Sequence, residues 1–264
     1  MTVALAIKNS KLNRRSMSNP NVLINSDYGS IIININDSVI GKHISQLGYW
    51  AKDDIELIKR LIDFLLTKKQ SITLYDVGSN IGTHALAIGK TYGQKVKVRA
   101  FEAQRQIFNM LCGTVALNGL DNIYCHNLAV SDGGEKKIKI PLPNYFEVNN
   151  FGGLELITPI RSDNQSMLVN NYEEIQTTTL DDFNEAVDFI KMDIEGMEDK
   201  AFEGSKLILE KHRPICFIEI LKTDIDYLIN LFKDIGYLGF QKNADLIVIP
   251  VEHQIQINGL NRIF

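Results

Sequence analysis

The chain has 264 residues, which is enough for one large α/β domain with an N-terminal extension. Hydrophobic residues make up 45% and charged residues 23% of the chain, a composition that supports a sizeable core and excludes wholesale disorder. With 28 Lys and Arg against 32 Asp and Glu the formal net charge is −4, so there is no global basic field to hold nucleic acid.

Nothing in the sequence predicts a membrane span or an exported protein. No apolar run approaches the roughly 18 residues that a bilayer requires. The apolar residues 3–7 precede the first basic residues, which is the reverse of a signal peptide. Cys112, Cys125 and Cys216 are odd in number and far apart, so they form no disulfide framework and no C-x-x-C site. We therefore expect a cytoplasmic protein.

Residues 1–70 are predicted to form an arm, a hairpin and a helix that pack on the core. Residues 8–25 are rich in Asn, Ser, Lys and Arg and indicate a loosely ordered arm. Residues 30–40 alternate Ile and Asn around Asn36 and Asp37, which predicts a β-hairpin. Ile and Leu residues recur at helical spacing from position 55 to position 66 and predict an amphipathic helix.

From residue 72 onward, strands alternate with helices. Strands are expected at residues 72–77, 96–101, 123–126, 137–140, 189–192, 215–220 and 246–249. Helices are expected from about residue 81, at 104–118 with Gly119 as the cap, at 197–211 and at 223–235. This alternation predicts an α/β, Rossmann-like, doubly wound and mostly parallel sheet over residues 71–264. Residues 141–172 carry three prolines and predict a long loop, which we interpret as a lid.

The run DVGSNIG, which begins at Asp76, is the strongest chemical signal. Gly78 and Gly82 let a ligand approach the backbone, and the first N–H groups of the next helix would face that ligand. A dinucleotide site would have G-x-G-x-x-G, but counted from Gly78 the other two positions hold Asn80 and Thr83.

A ligand with a positive centre, a carboxylate and a ribose, but without phosphates, suits the run better. S-adenosylmethionine is such a ligand. The helix N–H groups would face its carboxylate, and Asp76 would supply negative potential near its ammonium and sulfonium groups. The predicted cofactor-binding residues in this run are Asp76, Gly78, Asn80 and Gly82.

The ends of the next two strands offer further cofactor contacts. Glu102 ends the second strand, at the position where doubly wound folds bind ribose hydroxyls, so it is the predicted ribose ligand. Residues 127–132 follow the third strand, where an adenine would lie, and Ala129 and Ser131 are the predicted contacts. An ordinary turn at Asp132 explains the latter run equally well.

The strand at residues 189–192 also runs into acids, Asp193 and Glu195. Because the carboxyl ends of parallel strands meet at one edge of the sheet, these side chains should face the same crevice as Asp76 and Glu102. Glu219 ends another strand and is a candidate for the same rim.

Five runs together carry a resemblance to a known family. They are DVGSNIG from Asp76, FEAQ from Phe101, VALNGLDNI from Val115, TTLDDF from Thr178 and IKMDIEGME from Ile190. In these runs, over residues 29–220, the chain resembles the FkbM family of S-adenosylmethionine-dependent methyltransferases. The family usually has a proline after the FE pair and a histidine after the EG pair, where this chain has Ala103 and Met197.

The resemblance implies a class I methyltransferase fold with a seven-stranded sheet, and methylation of a hydroxyl, often on a sugar, glycan or secondary metabolite. A hydroxyl must lose its proton, so a general base is needed. Asp193 and Glu195 are the leading catalytic candidates, with His126 and His84 behind them. A divalent ion held by Asp193, Glu195 and Glu219 is a further possibility for activating the oxygen.

Two alternatives stay open from the sequence. A nicotinamide-dinucleotide oxidoreductase is motivated by the general Rossmann-like pattern alone. A non-catalytic S-adenosylmethionine-binding module is motivated by Met197, which stands where the family has a histidine. The expected partner is a small-molecule or glycan acceptor.

Overall fold

The computed structural model describes residues 19–156 and 167–264. Within these ranges the β-strands are β1 (Asn21–Ser26), β2 (Gly29–Asn34), β3 (Ile72–Val77), β4 (Val96–Phe101), β5 (Ile123–His126), β6 (Ala129–Val130), β7 (Lys137–Pro143), β8 (Met167–Thr178), β9 (Phe189–Met192), β10 (Ile215–Glu219), β11 (Tyr237–Lys242), β12 (Asp245–Pro250) and β13 (Asn261–Arg262). The α-helices are α1 (Ile40–Leu47), α2 (Lys52–Leu66), α3 (Thr83–Tyr92), α4 (Arg105–Leu117), α5 (Glu198–Glu203), α6 (Lys206–His212) and α7 (Ile225–Asp234). None of these helices has the length and hydropathy needed to cross a bilayer.

The central sheet has the strand order β13-β11-β12-β10-β9-β3-β4-β5. Strands β5, β4, β3, β9 and β10 pair in parallel. Strand β12 lies antiparallel between β10 and β11. Seven strands therefore form the expected mostly parallel, Rossmann-like sheet, although β11 was not among the predicted strands, and the two-residue β13 adds an eighth at one edge.

Helices cover both faces of this sheet because its strands are apolar on both sides. Helices α2, α3 and α4 bury their apolar residues in one cluster, which includes Leu74 of β3. Helices α5, α6 and α7 contribute to a second cluster, which includes Tyr75 and Val77 of the same strand. The doubly wound arrangement is confirmed.

The chain reverses its direction of travel across the sheet between β3 and β9. It passes outward from β3 to β4 and β5, and then returns to add β9 and β10 on the other side of β3. In open α/β sheets such a switch point leaves a crevice outside the carboxyl ends of the strands. The functional residues should therefore lie after β3, β4, β9 and β10.

The N-terminal hairpin lies earlier in the chain than predicted. Strands β1 and β2 pair around residues 27–28, so the predicted hairpin at residues 30–40 is wrong, and so is the arm from residue 21 onward. The carboxylate of Asp37 accepts the N–H groups of Val39 and Gly41, both at 3.0 Å, and so begins helix α1 instead of a hairpin turn. Residues 8–18 of the predicted arm lie outside the described residues.

Three further predictions are corrected. Residues 137–140 form a strand, but it belongs to a separate sheet of order β6-β8-β7. The helix predicted at residues 197–211 is two helices, because Gly204 packs so closely on the Ser131 carbonyl oxygen that a side chain there would overlap it. The loop predicted at residues 141–172 is shortened at both ends by β7 and β8.

Candidate active site

A cavity of about 340 Å³ opens at the carboxyl ends of the central strands. This volume is in the range of small-molecule sites. Its walls come from every connection that the switch point brings together, and also from the N-terminal extension. They include Val39, Ile40, Trp50, residues 78–80, Thr83, His84, residues 101–104, residues 128–130, Asn150, Gly152, Gly153, Leu154, Leu156, Lys191, residues 193–195, Met197, Glu219 and Leu221.

The two glycines of the DVGSNIG run are required by packing. Gly78 has φ +79°, and a Cβ on it would overlap the carbonyl oxygen of Asp193 in the loop after β9. Gly82 has φ +92°, and a Cβ on it would lie 2.7 Å from Leu111 Cδ1 of α4. Gly78 lines the cavity and Gly82 does not. The sequence analysis attributed both glycines to the approach of a ligand. In the structure, packing against Asp193 and Leu111 requires them.

The backbone N–H groups of residues 78–82 all have acceptors within the protein. The first two donate to the carbonyl oxygen at the end of β4, at 3.0 and 2.9 Å. The N–H of Asn80 donates to Glu102 Oε2 at 2.9 Å. The remaining two bond within the turn itself. The turn is therefore tied to β4 and has no N–H group left for a ligand.

Glu102 is held rigidly at the end of β4. Its Oε1 accepts the N–H of Gln104 at 2.8 Å, while its Oε2 accepts the N–H of Asn80. Burial raises the pKa of Glu102 to about 7, and the two N–H bonds act in the opposite direction. Each carboxylate oxygen can accept two hydrogen bonds and here accepts one from a backbone N–H group. Glu102 therefore keeps unused acceptor capacity where it lines the cavity.

Asp76 lies beneath the cavity and does not line it. It is fully buried, and neither of its carboxylate oxygens has a hydrogen-bond partner among the described residues. Burial raises its pKa, and the nearby Lys191 ammonium, 3.7 Å from Oδ1, opposes that effect. Asp76 therefore offers no direct contact to a ligand in the cavity.

Lys191 is a charged residue of the cavity wall that the sequence analysis did not single out. It lies in β9, its side chain is 6% exposed, and it lines the cavity. Its Nζ donates to the Gly78 carbonyl oxygen at 3.2 Å and lies 3.5 Å from Asp193 Oδ2. Burial opposes the charge, but Asp193 and Asp76 outweigh it and raise the pKa of Lys191. A lysine inside the apolar strand FIKM was the available signal.

Asp193 and Glu195 line the same cavity as Glu102. Glu195 has φ +57°, and its Oε2 is 2.6 Å from Lys222 Nζ. Burial raises the pKa of Glu195, and the bond to Lys222 lowers it. The structure thus brings the two predicted catalytic acids together with the predicted ribose ligand.

Glu219 joins these acids from the end of β10. Its Oε2 is buried and has no hydrogen-bond partner among the described residues. Burial, followed by repulsion from Asp193 and Glu195, raises the pKa of Glu219 to about 8. Across residues 19–156 and 167–264, no three His, Cys, Asp or Glu side chains are arranged to hold a metal ion, so the three acids give no support to a metal site.

Glu198 fixes the acidic loop from behind. It is fully buried at the start of α5, where its Oε1 accepts the N–H of Ile194 at 2.8 Å and its Oε2 accepts that of Gly196 at 3.0 Å. Burial raises the pKa of Glu198 to about 7. Its role is therefore to shape the loop that presents Asp193 and Glu195.

The remaining predicted residues divide between the cavity and its surroundings. Ala129 and His84 line the cavity, and burial lowers the pKa of His84 to about 3, which keeps its ring neutral. Ser131 is buried beside the cavity without lining it, and its N–H donates to the Thr178 carbonyl oxygen at 2.9 Å. His126 lies outside the cavity and contacts Arg99 at 3.1 Å.

The wall contributed by the N-terminal extension was not predicted. Trp50 lines the cavity, its carbonyl oxygen accepts the Tyr28 hydroxyl at 2.9 Å, and its ring meets His43 edge-on at 5.2 Å. The predicted lid supplies residues 150–156 to the same side, and Gln104 holds them through the Phe151 carbonyl oxygen at 2.8 Å.

The family model of the methyltransferase FkbM domain matches residues 76–238. The chain belongs to the FkbM methyltransferase family. The matched residues include the DVGSNIG turn, Glu102, the acidic loop and Glu219, so the family match contains the cavity wall apart from the part given by the N-terminal extension. This assigns the domain to the S-adenosylmethionine-dependent methyltransferases and decides against the nicotinamide oxidoreductase.

Solved structures with a similar fold include other methyltransferases. A methyltransferase FkbM from Methylobacillus flagellatus is 20% identical, with a TM-score of 0.49, over 68% of this chain and 43% of that one. This chain thus spans less than half the length of that protein. A SAM-dependent methyltransferase from Aquifex aeolicus is 20% identical, with a TM-score of 0.38, over 74% and 87% of the two chains. An rRNA methylase from Streptococcus thermophilus is 14% identical, with a TM-score of 0.41, over 72% and 93%. No curated protein matches the sequence.

Replacing Gly78 tests the contact between the two loops of this FkbM domain. Gly78→Ala adds a Cβ that overlaps the Asp193 carbonyl oxygen, whereas Gly119 has a similar left-handed backbone with open space around it. We expect Gly119→Ala to cost about 1–2 kcal/mol of unfolding free energy from backbone strain alone. Gly78→Ala should cost a further 1–3 kcal/mol or so from overpacking. Chemical denaturation of both variants measures the difference, and equal losses would contradict the contact.

The buried acids predict how stability depends on pH. The pKa of Glu219 is raised from 4.5 to about 8, so the folded chain holds this proton more tightly than the unfolded chain. Its stabilising contribution is therefore complete below about pH 4.5 and is lost as the pH rises through about 8. Glu102 and Glu198, with pKa values of about 7, act in the same direction.

We accordingly expect the melting temperature of the ligand-free protein to fall between pH 5.5 and pH 8.5. Glu219→Gln should make that fall shallower, and the exposed Glu210→Gln should leave it as in the wild type. Differential scanning calorimetry across this range measures the slopes. An unchanged slope in Glu219→Gln means that this carboxyl does not titrate there.

Proposed function

We propose that this chain transfers a methyl group from S-adenosylmethionine to a hydroxyl of a sugar, glycan or other hydroxylated metabolite. The observation that carries the proposal is the composition of the cavity wall. Asp193 and Glu195, which suit proton transfer, line the same cavity as Glu102, which suits a ribose. An enzyme that methylates oxygen needs both kinds of group in one site.

The residues around the cavity suit the cofactor. Glu102 has unused acceptor capacity for ribose hydroxyls, and Ala129 offers an apolar surface for an adenine. Asn80 lines the same cavity in the turn that Gly78 and Gly82 shape, and the N–H of Ser131 holds the segment after Ala129 on β8. When bound, S-adenosylmethionine supplies an electrophilic methyl group on a positively charged sulfur. The acidic lining favours such a cation.

The acidic loop would then take the proton from the acceptor. An alcohol is a poor nucleophile, and a positioned carboxylate that removes its proton contributes about 10²- to 10⁴-fold in rate. Lys222 pairs with Glu195 and favours its charged form, while Asp193 is held by Lys191. Glu198 fixes the loop that carries both acids.

Water exclusion would come from the wall opposite the strands. Gly152, Leu154 and Leu156 bring an apolar surface to the cavity, and Lys222 ties their segment to the acidic loop through the Gly153 carbonyl oxygen at 3.2 Å. Removing water keeps the nucleophile and the sulfonium from being solvated apart. Positioning the two reactants in such an enclosure is the largest contribution that a methyltransferase needs from its protein.

We also propose a cytoplasmic setting and no nucleic-acid partner. The three cysteines are free, which suits a reducing compartment. The net charge of −4 supports a small-molecule or glycan acceptor rather than nucleic acid.

Asp193→Asn and Glu195→Gln, made separately, test the proposed chemistry. Both substitutions keep the size of the side chain and remove its ability to take a proton. We expect at least one to lower turnover by about 10²- to 10⁴-fold. The affinity for S-adenosylhomocysteine should stay within about threefold, because neither acid is assigned to that ligand.

Turnover is measured by mass spectrometry of glycan and metabolite extracts treated with a methyl-labelled donor. Glu210→Gln is the matched control on an exposed helix position. If both acid variants retain turnover within tenfold, neither residue is the base. If the wild type binds the donor and methylates no hydroxyl in any extract, the chain is a binding module and the proposal fails.

Trp50 is the proposed platform for the acceptor ring. It is the chain's single tryptophan; Tyr28 holds its backbone through the carbonyl oxygen, and His43 contacts its ring edge-on. A sugar ring has an apolar face that packs on aromatic side chains, and its edge hydroxyls would reach the acids of the same cavity.

We expect Trp50→Ala to raise the acceptor KM by about 2- to 10-fold, and Trp50→Phe to have a smaller effect. Because no other tryptophan contributes, acceptor binding should also change the wild-type emission spectrum. Titration of the identified acceptor in the presence of S-adenosylhomocysteine measures that change. An unaltered KM in Trp50→Ala would place the acceptor on a different wall.

A further inference from the structure

An S-adenosyl cofactor carries a carboxylate, and a carboxylate taken out of water needs a cation or several hydrogen-bond donors. The sequence predicted that the first N–H groups of the helix after the glycine turn would supply them. In the structure the N–H groups of residues 78–82 all donate to protein oxygens. The turn itself therefore offers no donor to the cofactor carboxylate, whose partner has to be the first N–H groups of α3 or a side chain of the cavity wall.

Lys191 is placed to be that partner. It lines the cavity next to the turn, because its Nζ donates to the Gly78 carbonyl oxygen at 3.2 Å. An ammonium group has three donors, and the Gly78 carbonyl oxygen takes one of them. The carboxylates of Asp76 and Asp193 lie at 3.7 and 3.5 Å, which is long for a charge-assisted hydrogen bond, so they balance the charge of Lys191 without close hydrogen bonds to its ammonium.

The position of Lys191 also fits the rest of the proposed cofactor site. Its charge acts on Glu102, the proposed ribose ligand, and on His84 at the start of α3. It thus lies between the wall that suits the nucleoside and the acidic loop that suits the acceptor. The amino-acid end of the cofactor has to lie in this region, because the reacting sulfur joins that end to the ribose.

We propose that Lys191 binds the carboxylate of the cofactor's amino-acid moiety and thereby selects ligands that carry this group. The competing partner is the pair of backbone N–H groups of Thr83 and His84 in the first turn of α3. The other competing role for Lys191 is purely structural, as the counter-charge of Asp76 and Asp193. Both alternatives predict that removal of the lysine leaves the preference for a carboxylate unchanged.

The test compares two ligands that differ only in the carboxylate. One is S-adenosylhomocysteine, and the other is its decarboxylated analogue, which keeps the ammonium, the thioether and the adenosine. Isothermal titration calorimetry gives both Kd values for the wild type, Lys191→Met and Lys191→Arg. Lys222→Met is the matched control, because it removes a lysine that neighbours the same acidic loop but does not line the cavity.

We expect Lys191→Met to raise the Kd of S-adenosylhomocysteine by about 10- to 100-fold and to change the Kd of the analogue by no more than about threefold. Lys191→Arg and Lys222→Met should keep the ratio of the two Kd values near that of the wild type. If Lys191→Met raises both Kd values equally, the lysine only shapes the site. If it raises neither Kd, the lysine has no role in binding. Either result overturns the proposal.

Lys191→Met leaves the buried Asp76 without its cation and can unfold the chain for that reason. The double variant Lys191→Met with Asp76→Asn removes both charges, and its ratio of Kd values decides the question in the same way. No acceptor takes part in these titrations. The Kd ratio therefore tests Lys191 independently of whether the methyl acceptor is a hydroxyl, and a failure of one proposal leaves the other intact.

Discussion

The contact between the loop after β3 and the loop after β9 is the constraint on which the cavity depends. Gly78 and the Asp193 carbonyl oxygen are so close that no side chain fits between them. Lys191 joins the two loops from below through the Gly78 carbonyl oxygen and the Asp193 carboxylate. As a result the cofactor turn and the acidic loop form one rigid edge, and the distance between them is set by backbone packing.

Most of the central sheet could be predicted because its strands are short apolar runs that end in polar residues. The pattern located β3, β4, β5 and β9 within a residue of their bounds, and the parallel orientation of the strands follows from their alternation with helices. The hairpin was misplaced because Asn36-Asp37 suits both a turn and the start of a helix. The Asp37 carboxylate caps α1, and that outcome depends on whether the next residues of the chain continue as a helix.

Some residues of the candidate site could likewise be identified from the local sequence, whereas others depend on long-range contacts. Asp193, Glu195 and Glu102 could be identified because parallel strands end at one edge, so acids at strand ends converge. For Lys191 the local signal is only a charge inside an apolar strand, and its meaning depends on a long-range pairing, because β3 brings Asp76 beside it. Trp50 could not be connected to the crevice, since nothing in the sequence near residue 50 indicates which part of the core it meets.

The electrostatics of the cavity explain why a site so rich in acids can exist in a folded protein. Four carboxyl groups line it, those of Glu102, Asp193, Glu195 and Glu219, against the single ammonium of Lys191 among the described residues. Burial and mutual repulsion make ionisation of Glu102 and Glu219 costly, so without a ligand they hold protons near neutral pH.

A ligand that carries positive charge reverses that balance. It stabilises the ionised carboxylates, and by linkage these groups release protons as it binds. The carboxyl groups whose ionisation destabilises the fold as the pH rises are therefore the groups that bind a cation most favourably. A cavity of this kind discriminates against a neutral or anionic nucleoside by the repulsion and desolvation of its own acids, before any specific contact is made. Lys191 is the exception within this acidic lining, and it faces the one region where the proposed cofactor itself is negative.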